Sequence, residues 1–195
     1  MKTTLSVTVL MAVFSGIAPA QRTPSHPQVI YRNMGNSKTQ LYNDVDSDSV
    51  GACGTNAPSA LGMPFTTKYD SHVEVVRVPV QWDSGANQVN LSIYTDSNGE
   101  PGSLLAGPVT ITNVPHWGTC CTLDSAIFYP VAVSGGVQYW VVADTPVSGS
   151  GSDFCGVWNF VHRSFPTAVK GSNGTWSIVN FPVFELAGEV LGTIP

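Results

Sequence analysis

His116, Cys120 and Cys121, all within PHWGTCCTL (115–123), are the side chains whose types and spacing come nearest to a reactive centre. A zinc site, a redox pair and a structural cross-link all use such residues. Zinc takes four ligands, commonly from paired C-x-x-C motifs, and neighbouring residues on an extended strand point to opposite faces. His116 with Cys120 and Cys121 is therefore a poor ligand set, and disulfides are the favoured reading. The chain has 4 cysteines, so three pairings are open. On a strand, Cys120 and Cys121 would each need a partner on its own side, Cys53 or Cys155. In a turn, which Pro115 and Gly118 permit, they could bond to each other, although adjacent Cα atoms lie about 3.8 Å apart and ordinary bridges prefer about 5.5 Å. The expectation is the neighbour bond together with a Cys53–Cys155 bridge. That bridge would close a loop of about 100 residues and contribute on the order of 4 to 5 kcal/mol.

Asp44, Asp46 and Asp48 in DVDSDS (44–49) repeat the first three ligand positions of a calcium loop. Position six is Ser49 rather than Gly and position twelve is Thr55 rather than Glu, which excludes an EF-hand. The expectation is a solvated acidic loop and no cofactor, with a looser calcium site on this oxygen-rich segment as the alternative. Asp96-Ser97-Asn98-Gly99 also carries oxygen donors but reads as a turn, because Asx side chains bond their own backbone and Gly takes positive φ. Trp117 and Trp158 lie near loop segments and are the candidate glycan-stacking residues, while Trp82, Trp140 and Trp176 sit in strand patterns. Of the 4 histidines, His162 beside Arg163 is a site candidate, set against the expected reading of a satisfied surface histidine. No G-x-S-x-G, H-E-x-x-H or glycine-rich phosphate loop occurs, and Glu74, Glu100, Glu185 and Glu189 offer no facing carboxylate pair for glycoside hydrolysis.

The elements that would carry these residues are strands. In HVEVVRVPVQW (72–82), Val76, Val78, Val80 and Trp82 share one face, and Pro79 marks an unpaired edge. Val89, Leu91 and Ile93 repeat the alternation until TDSNGEPG (95–102) interrupts it. Further strands are expected over 108–114, 126–133, 137–143, 155–161 and 176–186, with Gly135-Gly136 in a hairpin turn. Residues 35–58 read as a long loop and SGSGSD (148–153) as a flexible one, and no helical spacing is sustained beyond the N-terminal segment. The expected fold is all-β, a single-domain antiparallel two-sheet sandwich of jelly-roll type.

Lys2, the apolar run Leu5–Phe14 and Ala18-Pro19-Ala20 have the pattern of a secretory leader, cleaved near Ala20 and too short to span a membrane. The expected organisation is leader 1–20, lead-in 21–28, sandwich 29–188 and C-terminal tail 189–195. Charged residues make up 11% of the chain and the net charge is −5, so a phosphate backbone is not an expected partner.

LSIYTDSNGEPGSLLAG (91–107), PVAVSGGVQYWVVADT (130–145) and GVWNF (156–160) together resemble the choice-of-anchor R domain of exported bacterial proteins. The resemblance runs from about Ile30 to Leu186. It implies a β-sandwich at or beyond the cell surface and carries over no catalytic residues. Members usually bear a C-terminal sorting segment, and the ending EVLGTIP favours release over anchoring. The expected function is a secreted binding or surface-structural module, with an extracellular glycan as the leading ligand. A ligand-free matrix protein is second and a secreted hydrolase third.

Overall fold

The computed structural model describes residues 26–35, 41–54, 59–145, 152–180 and 182–195. The leader 1–20, its cleavage point, most of the 21–28 lead-in and most of the 148–153 segment lie outside them. The described residues form fourteen strands and no helix: β1 Gln28–Arg32, β2 Asn43–Gly51, β3 Ala60–Thr66, β4 Ser71–Val78, β5 Val80–Ser84, β6 Gln88–Ser97, β7 Glu100–Thr112, β8 Asp124–Val133, β9 Gln138–Asp144, β10 Cys155–Val161, β11 Pro166–Lys170, β12 Trp176–Asn180, β13 Glu185–Leu186 and β14 Glu189–Thr193.

They make an all-β antiparallel sandwich. One layer is a 6-stranded sheet, β12-β11-β3-β9-β6-β7. The other is divided between β1-β14-β4-β8 and β13-β10-β2, the second of which also pairs β5 along β10. The chain passes directly between these two sheets three times, between β1 and β2, at Pro79 between β4 and β5, and at Ala187-Gly188 between β13 and β14. The single strand expected over 72–82 is thus broken at Pro79, which has no N–H to continue a ladder and instead accepts Asn159 N–H through its carbonyl at 3.2 Å. Its period-two face is retained: Val76, Val78 and Val80 are fully buried. They meet Leu61, Met63, Leu91, Ile93 and Val141 from the six-stranded sheet.

Three other expectations change. Residues 43–51, read as loop, are strand β2, held along β10 by the Asp48↔Trp158 and Val50↔Gly156 pairs. The tail 189–195 is mostly β14, which lies between β1 and β4 and buries Glu189 between Arg32 and Arg77. The strand expected over 176–186 is split into β12 and β13.

The six-stranded sheet is strongly curled. Its two edge strands, β12 and β7, approach with Cα atoms within 8 Å. Gly62 permits this, because a Cβ there would meet Ala168 Cβ at 3.0 Å and Pro101 Cγ at 3.4 Å. The concave side has its own small core of Ala60, Trp140, Val142 and Ala168, flanked by Tyr94, Trp176 and Ile178. The β6–β7 hairpin is closed by Asn98 and Gly99 at positive φ, and Asp96 accepts Gly99 N–H at 3.0 Å. Asp96 also accepts Trp140 Nε1–H at 2.8 Å and Gln138 Nε2–H at 2.7 Å. Its oxygens therefore serve the turn and the concave core.

Candidate functional site

Trp117 sits on an exposed loop held by a buried glutamine. Gln81, on β5, is completely buried, and a buried amide must spend its donors and acceptor on partners. Its Nε2 donates to Thr119 O at 2.7 Å and its Oε1 accepts Gly118 N–H at 2.9 Å. The loop backbone continues the edge of β5: Trp82 N–H donates to Pro115 O at 2.7 Å and Trp117 N–H to Trp82 O at 2.9 Å. Tyr42 OH reaches Thr122 O at 3.1 Å, and Asn87 clamps Val114 through both N–H and C=O. His116 lies against the Trp82 ring edge, with centroids 5.6 Å apart. Pinned from below on every side, Trp117 is still 46% exposed.

Trp158, the other candidate stacking residue, is not at the surface. It is 0% exposed, faces the main core from the centre of β10, and donates Nε1–H to Ala187 O at 2.7 Å. Its side chain lies on the face of the sheet that packs into the main core, so Trp158 offers no face to a ligand.

The structure joins Cys53 to Cys155 and Cys120 to Cys121. With its sulfurs bonded to each other, the 120–121 pair supplies no thiolate to a metal. Asp44, Asp46 and Asp48 fall on β2 rather than on a loop. Asp46 is held by Asn43 Nδ2, and burial raises the Asp48 carboxyl above its usual range against the opposing Ser49 N–H. Among the described residues, no group of three His, Cys, Asp or Glu side chains is arranged to hold a metal. His162 packs its ring on Phe184, 5.4 Å between centroids, and lies 3.0 Å from Asn43 Nδ2.

A second site was not expected from the sequence. One row of paired residues crosses the whole curled sheet: Trp176, Lys170, Ala60, Asp144, Asn90 and Thr110. At its middle opens a cavity of about 320 Å³, lined by Asp144, Lys170, Ser59, Ala60, Thr145 and Gly51 among others. Thr110 Oγ1 donates to Asn90 Oδ1 at 2.8 Å, which orients the Asn90 amide to donate to Asp144. Burial pushes the Asp144 carboxyl up to about 6, against the pull of Lys170 and of that amide. The Lys170 ammonium lies over the Trp176 ring, 5.6 Å from its centroid. Ser59 Oγ donates to Lys170 O at 3.2 Å, so it fixes the strand end rather than serving a neighbouring base.

No family model matches this chain, and no curated protein does.

Asp144 and Lys170 went unread because each closes an apolar strand, VVAD and TAVK, where a single charge looks like a solvated strand end. The available signal was that two strands ending in opposite charges become neighbours of Ala60 once β3 is recognised.

Proposed function

We propose that this protein is an exported, non-catalytic β-sandwich that recognises an extracellular glycan through the exposed face of Trp117. The observation carrying this reading is an aromatic ring 46% exposed on a loop whose backbone is fastened by buried Gln81. A large ring left in water on a rigid support loses little conformational entropy when a flat apolar sugar face stacks on it. Export is supported by the leader pattern of residues 1–20, by the resemblance to choice-of-anchor R domains, and by the absence of free cysteines among the described residues. No helix among the described residues is long and apolar enough to cross a membrane.

Glycan-array screening tests the reading. Wild-type protein is expected to retain a defined glycan class, and Trp117→Ala to weaken that binding at least ~10-fold, about 1.4 kcal/mol. Binding that survives Trp117→Ala unchanged would remove the site from the account.

A further inference from the structure

We propose that the cavity between Asp144 and Lys170 binds a small zwitterion, placing the ligand's ammonium on Asp144 and its carboxylate on Lys170. Both residues pair with Ala60 from opposite sides, so their Cα atoms stand about 10 Å apart, two strand spacings, with only a methyl group between. The ion pairs Arg32–Glu189 and Arg77–Glu189 lie elsewhere, and Asp144 and Lys170 form none with each other. Asp144 and Lys170 therefore face the cavity without direct contact. The lysine lies toward Trp176 and the carboxylate is held by Asn90, and both line the cavity that opens beside buried Ala60.

The walls narrow the ligand class. The described lining residues are small or hydroxylated, Gly51, Ala52, Ser59 and Thr145 among them, and none presents an aromatic ring for a pyranose to stack on. A volume of about 320 Å³ is at the lower end for ligand sites, which run from roughly 300 to 1,000 Å³, so the occupant is a single small molecule. Burial that raises the Asp144 carboxyl shows a carboxylate short of solvation, which a bound ammonium would relieve. A free amino acid and a short peptide both supply the two charges. This site is independent of Trp117.

Isothermal titration of the folded, disulfide-bonded protein at pH 7.5 decides it, using L-alanine, L-alanyl-L-alanine, ethylamine, propionate and methyl glucoside. At least one of the two zwitterions is expected to bind, with ethylamine and propionate, each lacking one charge, at least ~10-fold weaker. Tighter binding of alanine identifies a free amino acid as the ligand type, and tighter binding of the dipeptide identifies a peptide. Asp144→Asn and Lys170→Met should each weaken the zwitterion at least ~10-fold, while Trp117→Ala leaves it unchanged. The proposal is overturned if neither zwitterion binds, if binding is indifferent to both substitutions, or if methyl glucoside binds and is lost in Asp144→Asn.

Discussion

Two carboxyls, Asp124 and Asp144, are held in places that favour their neutral form. Burial pushes Asp124 up to about 7 and Asp144 up to about 6. Asp124 Oδ2 is shielded from water without a hydrogen-bond partner, which leaves its ionised form unsupported. A carboxyl whose folded pKa lies above its unfolded value near 3.8 destabilises the fold when ionised, and protonation relieves that cost. Stability is therefore expected to rise as pH falls from about 8 toward 5. Asp96 opposes this at lower pH: burial raises its carboxyl, but N–H donors from Trp140, Gly99 and Gln138 outweigh it and hold it below the usual range. Its contribution is present near pH 5 and is lost as pH falls below about 4. Asp124→Asn should stabilise the protein at pH 8 by on the order of 1 to 2 kcal/mol, allowing for solvent screening, and flatten the rise toward pH 5. Urea denaturation at both pH values measures this. A wild-type midpoint independent of pH between 8 and 5 would contradict it.

Strands were legible in the sequence where apolar and polar residues alternate or turn residues bound an apolar run, even where both faces are buried. Val89, Leu91 and Ile93 on β6, and the bounds of β10, follow from alternation or turn signals that the structure keeps. β2 was hidden because NDVDSDSVG has almost no apolar side chains, and it becomes a strand only through its ladder with β10. β3, ALGMPFT, was hidden for the opposite reason: both faces are buried, so the apolar run has no period, and Gly62 and Pro64 are poor strand formers. Pro64 is tolerated because the β11 ladder on that side reaches only Gly62. The burial of Trp158 has the same origin, since the residues that flank it, Val80 and Asp48, are 78 and 110 residues away in the chain. Trp158→Ala should cost about 3 to 5 kcal/mol in urea denaturation, as a fully buried aromatic does. A loss below ~1 kcal/mol would mean that β10 does not anchor the core.

At the scale of the whole molecule, the fold separates its tryptophans into structural and accessible sets. The Cys53–Cys155 bridge spans 102 residues and ties the ends of β2 and β10, supplying on the order of 4 to 5 kcal/mol. Trp140 and Trp158 are sealed in the two cores, with indole N–H groups bonded to Asp96 and to Ala187 O. Trp117 is the one left 46% exposed. Fold class and the exposure of Trp117 were within reach of the sequence, because loop and strand patterns are local. The support beneath Trp117 was not, because Gln81 looked like an outward strand residue until its amide met Thr119 and Gly118. The central claim is that glycan recognition occurs on Trp117, and indole N–H resonances in a ¹⁵N–¹H spectrum test it most directly. Titration with a glycan found on the array should shift the Trp117 indole peak while those of Trp140 and Trp158 stay fixed. Saturable binding that leaves the Trp117 peak unmoved would contradict the account.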